Sequence, residues 1–169
     1  MALDTLHDLF IYELRDLYDA EQQILTGLPL MAQAAKAPQL RQVFEDHVKE
    51  TRDQIERLDA IFHGIGVSFT GRSCKAMQGL LAEARDTLQE EADPEVLDAA
   101  LIVEAQKIEH YEIAGYGSVR AFAQELGYKD AERLLTETLK EESAADEKLT
   151  HAAESRVNEK AATADEAKV

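Results

Sequence analysis

KIEHYEIAGYG, residues 107–117, sets two glutamates three positions apart in the middle of a long helix-forming segment. At helical spacing, Glu109 and Glu112 project from one face. Ile102, Ala105, Tyr116, Val119 and Ala123 share that face, which is the apolar stripe a helix turns toward its neighbours. Two carboxylates therefore stand on the side predicted to be buried. Burying ionised carboxylates costs several kcal/mol each unless they are paired, protonated or bound to a cation.

The same conflict recurs outward from this stretch. Asp93-Pro94 is an N-cap followed by proline at the first helical position, so the helix is predicted over 94–126, with Gly127 ending it. Residues 2–34 predict a first helix with Asp4 as its N-cap. Its seam is Leu3, His7, Phe10, Leu14, Leu17, Glu21, Ile24, Leu28 and Met31, in steps of three and four. Glu21 interrupts that seam. Pro29 removes one backbone donor and predicts a kinked or tightened last stretch, and Ala37-Pro38 marks the break to the next helix. Residues 39–63 predict the second helix. Its seam is Leu40, Phe44, His47, Thr51, Gln54, Leu58 and Ile61, with Glu50 beside it and Gly64 and Gly66 as stops. Residues 129–158 predict another helix, with a seam of Leu135, Leu139, Glu142, Asp146, Leu149 and Ala153. Between the two hairpins, GIGVSFTGRSC reads as a loop. Met77, Leu80, Leu81, Ala84 and Leu88 then predict a short amphipathic helix from Lys75 to about Glu90.

Four long helices, two tight turns and one long crossover specify an all-α four-helix bundle. It is predicted to occupy residues 1–158. EKAATADEAKV, residues 159–169, lacks large apolar side chains and is predicted to fray or be disordered. Glu50 follows Glu21 by 29 residues and Glu142 follows Glu112 by 30. Similar helices joined by tight turns bring these positions to one level of the bundle.

Carboxylates from four helices meeting at one level can hold two metal ions. Bridging carboxylates suit iron or manganese, and zinc also accepts such ligands. The usual di-iron bundle takes one Glu from each of two helices and Glu-x-x-His from each of the other two. Here Asp53 follows Glu50 by three and Ala145 follows Glu142 by three. The candidates at four-residue spacing are Gln54 and Asp146, and His47 precedes Glu50 in the reverse order. The predicted site is carboxylate-rich and poor in histidine. His47 reads as a hydrogen-bonded seam residue. Tyr18, Tyr111 and Tyr116 read as packing residues, Glu13, Glu104 and Glu141 as members of solvated faces, and His63 and His110 as surface groups. Cys74 reads as a packing residue under the crossover.

Composition narrows the functional classes. The chain has 169 residues, 3 Pro, 8 Gly, one Cys and a net charge of −16. Such a surface repels nucleic acid and anionic membranes. A single cysteine excludes an internal disulfide and suits a reducing cytoplasm. MALDTLHDLF lacks a basic region and a continuous apolar run, so no signal peptide is expected, and no stretch approaches a membrane span.

LHDLFIYELRDLYDAEQQI, HVKETRDQIERLDAIF, CKAMQGLL, KIEHYEIAGYG and TLKEESAADEKL resemble, in that order, the bacterial YciE/YciF-like stress proteins. The resemblance runs over residues 3–153. It implies a ferritin-like four-helix bundle with an extra short helix, commonly a homodimer, and an association with osmotic and oxidative stress. Carried onto the matching motifs, it implies ligands Glu21 in DAEQQI, Glu50 in KETRDQ, Glu109 and Glu112 in IEHYE, and Glu142 and Asp146 in EESAAD, with Gln54 beside them. The expected function is a cytoplasmic stress-response protein with a di-metal centre, iron or manganese, reacting with oxygen or peroxide. The alternative is a metal-free structural or interaction module acting as a homodimer.

Overall fold

The computed structural model describes residues 3–164. Its elements are α1 (Leu6–Ala34), α2 (Pro38–Ile65), α3 (Lys75–Gln89), α4 (Pro94–Leu126), α5 (Lys129–Ala152), a π-helical turn (Ala153–Val157) and α6 (Asn158–Thr163). Around the bundle, α1 packs on α2 and α4, and α5 packs on α2 and α4. The crossover helix α3 lies against α1 and α4. This is the ferritin-like bundle, with the short extra helix in the long connection.

Local chemistry explains where the helices begin and end. Asp93 caps α4 by accepting from the Glu95 amide at 3.0 Å, and Pro94 follows. Gly127 ends α4 in the left-handed region, at φ 76°, a conformation that costs a residue without Cβ little. Two sequence expectations are corrected. The N-cap of α1 is Thr5, not Asp4: the Thr5 hydroxyl accepts from the Asp8 amide at 3.1 Å, and the Asp8 carboxylate accepts from the Thr5 amide at 3.0 Å. That reciprocal pair satisfies two donors at once, which a lone aspartate cannot. Gly64 lies within the last turn of α2, and only Gly66 stops it. In the carboxy-terminal segment the π-helical turn follows α5, and α6 buries none of its residues. Residues 165–169 of the tail lie outside the described residues.

The apolar interior is split in two. One cluster includes Ile24, Leu28, Leu40, Phe44, Leu101, Ile102 and Leu149. The other includes Phe10, Leu14, Leu58, Ile61, Val119 and Leu135. Along every long helix the seam passes from one cluster to the other through polar positions: Glu21, then His47 to Gln54, then Glu109 and Glu112, then Glu142. The antiparallel hairpins stack these positions into one polar layer between two apolar ones. Gly115 helps close it. A Cβ there would lie 2.7 Å from Leu17 Cδ2, so its absence lets α4 approach α1 one turn from Glu112.

Asp98 fixes one end of the α1–α2 hairpin. It is buried on α4, and its two carboxylate oxygens accept from the Lys36 and Ala37 amides, each at 2.7 Å. Asp98→Ala strands two partly buried backbone donors. The expected loss of unfolding free energy is roughly 2 kcal/mol, the low end of about 1–3 for each of two groups that are only partly buried; urea denaturation followed by circular dichroism measures it.

Candidate metal centre

Three of the four long helices deliver the inner group. His47 comes from α2, Glu109 and Glu112 from α4, and Glu142 from α5, all buried. One ligand-type atom from each lies within 4.8 Å of the others. The His47 Nε2 sits 3.7 Å from Glu109 Oε1 and 3.9 Å from Glu142 Oε2. Its Nδ1 faces outward and lies 3.6 Å from Glu50 Oε2. From α1, the fully buried Glu21 borders this group and accepts a hydrogen bond from the Tyr116 hydroxyl. The Gln54 amide donates to Glu142 Oε1 and, at 3.3 Å, to Glu141 Oε2.

The layer is under-satisfied. Among the described residues, nine buried side-chain polar atoms have no hydrogen-bond partner, and all belong to Glu21, His47, Thr51, Gln54, Glu109, Glu112 and Glu142. Folded proteins rarely leave such atoms unpaired, since each costs desolvation energy with no return. Protonation follows from the same physics. Burial, reinforced by the neighbouring Glu142, pushes the Glu21 carboxyl up to about 8. Burial and the adjacent carboxylates push Glu109 and Glu112 well above the ordinary carboxylate range. Glu142 is raised by burial, with the His47 side chain opposing. A cation placed in the group would replace those protons.

The donor set fits a divalent metal. It offers carboxylate oxygens and one imidazole without a thiolate, which suits iron, manganese or zinc. The unpaired oxygens and imidazole nitrogens are at a separation that could hold a cation.

Not every residue named from the sequence enters the layer. Glu21, Gln54, Glu109, Glu112 and Glu142 do. Glu50 is half-buried on the rim, with Lys148 Nζ 3.2 Å from its Oε1. Asp146 is half-buried and held outward by Gln106, which donates at 3.0 Å, and by His110 Nε2 at 3.5 Å. The buried stripe of α5 runs through Thr138, Glu142, Ala145, Leu149 and Ala152, so the predicted seam through Leu139, Asp146 and Ala153 is rotated by one position. His47 is the reverse case. Read as a hydrogen-bonded seam residue, it has neither ring nitrogen hydrogen-bonded and belongs to the inner group. The signal was its central place on the α2 seam, one turn before Thr51 and two before Gln54.

Other assignments also shift. Glu104 is buried rather than solvated and pairs with Lys107 at 3.1 Å. Glu141 is half-buried and clamped by both terminal nitrogens of Arg57, at 2.5 and 2.6 Å. Glu13 is half-buried, and burial raises its carboxyl. Tyr116 packs but also orients Glu21. Tyr111 donates to the buried Asp16, whose other oxygen accepts from Arg72 Nε at 2.5 Å, and its hydroxyl lies 2.9 Å from the Cys74 sulfur. Cys74 is buried and caps α3, accepting from the Met77 amide at 3.4 Å. His63 and His110 are exposed.

Among the described residues no helix is long and apolar enough to cross a membrane. Comparison with known proteins agrees with the fold. The chain is 44% identical over 162 residues to Protein YciF of Escherichia coli (strain K12), covering 95% of this chain and 98% of that one. The crystal structure of the E. coli stress protein YciF superposes with a TM-score of 0.89, covering 92% of this chain and 98% of that chain. YcfI from Rhodopseudomonas palustris, described as a candidate structural protein, is 48% identical, with a TM-score of 0.85 over 88% of this chain and 94% of its own. A protein of Xanthomonas campestris pv. campestris, 20% identical with a TM-score of 0.72 over 90% of this chain and 94% of its own, shares the fold. The family described as a domain of unknown function, DUF892, matches residues 5–162. With that match spanning the bundle from its first cap to its last turn, the chain belongs to the DUF892 family, the group of YciF-like stress proteins.

Proposed function

We propose that this protein is a ferritin-like stress protein that binds two divalent metal ions, iron or manganese, in the polar layer of its bundle. The single observation that carries the reading is the set of unpaired buried atoms, all gathered in that layer. Charge supports the count of two. Glu21, Glu109, Glu112 and Glu142 are buried carboxylates, and when ionised they carry four negative charges that two divalent cations neutralise. One cation would leave two charges uncompensated in a dry interior, which is costly.

His47, Glu109, Glu112 and Glu142 would hold the metal, with Glu21 beside them on the α1 side. Both Glu112 oxygens are free of hydrogen bonds, so both would be available to hold metal. Gln54 and Tyr116 donate to Glu142 and Glu21. Each donation occupies one carboxylate oxygen and leaves the other available. The apolar clusters above and below exclude water from both ends of the layer. Bound iron or manganese would supply redox chemistry toward oxygen or peroxide; the protein's part is to fix the ligand set and keep it dry.

Protein purified after growth with iron or manganese is expected to carry about two metal ions per chain by elemental analysis, as carboxylate-bridged bundles do. Metal-free protein with full helicity after such growth would defeat the reading. A structural role, as the R. palustris relative's description suggests, predicts instead that chelation leaves the melting temperature unchanged. A ligand bound only to the folded state must raise it.

A further inference from the structure

Resting on the metal reading above, we infer that Glu50 and Lys148 form the port through which cations reach the buried layer. The layer is closed on most sides. Apolar clusters cap it above and below, and α3 lies over the groove between α1 and α4. The face between α2 and α5 is different, because polar side chains run from solvent to the interior there. Glu50 is half-exposed, and its Oε2 lies 3.6 Å from His47 Nδ1. On the far side of the same ring, Nε2 faces Glu109 and Glu142. Glu50, His47 and the inner carboxylates thus make a continuous line of ligand atoms, and both His47 nitrogens are buried and without hydrogen bonds.

Two neighbouring carboxylates lead nowhere comparable. Glu141 is fixed by the Arg57 fork, and it meets the layer only through the Gln54 amide nitrogen, a donor that repels a cation. Asp146 is engaged by Gln106 and His110 at the surface. Lys148 is the opposite of Arg57. Its side chain is 47% exposed and makes a single contact with Glu50, and a lysine ammonium on its flexible stem swings away more readily than a bidentate guanidinium. In the closed port, Lys148 places a positive charge where a metal ion must pass. When it swings into solvent, Glu50 is free to receive the ion and hand it to His47.

The test is manganese(II) loading of the chelated full chain. It is followed by loss of the aqueous manganese EPR signal, with elemental analysis at the end point. Glu50→Gln is expected to load about tenfold more slowly and Lys148→Gln faster, the scale of electrostatic steering, while both reach the wild-type metal content. Both side chains are partly exposed, and circular dichroism verifies that the variants fold. Wild-type loading rates in both variants would overturn the port. A Glu50→Gln end point short of the wild-type content would overturn it too, by making Glu50 a ligand. Wild-type protein that takes up neither manganese nor iron would overturn the metal reading itself.

Discussion

Stripped of metal, the protein is expected to lose thermal stability as pH rises from about 5 to about 8. Glu21 carries the sign. Its unfolded value is 4.5, and burial raises the folded one to about 8. Below pH 4.5 the carboxyl is protonated in both states, and its contribution is fully present. Between 4.5 and 8 the unfolded chain releases the proton while the folded chain keeps it, so unfolding becomes easier by about 1.4 kcal/mol per pH unit for this one group. Glu109, Glu112 and Glu142 are shifted in the same direction and add to the slope. Asp16 and Glu50 are shifted downward, and their contribution is already complete above pH 5. The melting temperature of chelated protein should fall on the order of 10 °C across this interval, from the usual conversion for a chain of this size. Metal-loaded protein should not follow it, because cations bind the ionised carboxylates and their affinity grows as protons leave. Melts from pH 5 to 8, with and without chelator, measure both curves. A chelated profile that stays flat would show that the layer is not dry enough to hold its protons.

The contrast between the two profiles depends on residues whose roles the sequence revealed unevenly. Helix existence was legible because its signals are local. Asp93-Pro94, Gly127 and the Ala37-Pro38 break each act within a few residues of themselves. The seam positions of α2, from Leu40 through His47, Thr51 and Gln54 to Ile61, are all buried, since a three-four step follows one face regardless of what packs against it. Depth within that face was not legible. Glu50 lies three residues after His47, off the central line toward the edge, and reaches Lys148 and solvent. Asp146 is displaced from Glu142 in the same way, with Ala145 and Leu149 taking the buried places. An apolar stripe is about 100° wide, so spacing does not separate its centre from its rim; the partner helix does. His47 reads from the sequence as a hydrogen-bonded seam residue for a related reason. A lone histidine on a seam is usually hydrogen-bonded, and only the tertiary structure shows three carboxylates, from α2, α4 and α5, around its two nitrogens. The π-helical turn after α5 has no sequence cue that we can identify.

Glu112→Gln is expected to change stability in opposite directions with and without metal. Glu112 is fully buried, both oxygens lack hydrogen-bond partners, and burial among Glu142, Glu21 and Glu109 holds its proton well above the ordinary range. Glutamine keeps the size and removes the charge. In chelated protein at pH 8 the variant should therefore be more stable than wild type, and its pH slope should be shallower, because one buried carboxyl no longer titrates on unfolding. In metal-loaded protein the same change removes a carboxylate that would hold the metal. Loss of an outer-shell partner alone typically weakens metal binding about 10- to 100-fold, so loss of a direct ligand should cost at least about a hundredfold and the stabilisation that goes with it. Urea denaturation at pH 8, with and without bound metal, gives both signs in one experiment. A carboxylate kept only for packing or for hydrogen bonding to its neighbours would shift both conditions alike, because nothing in its surroundings would depend on the cation. Equal destabilisation with and without metal would thus locate the purpose of the polar layer in the fold itself rather than in metal binding.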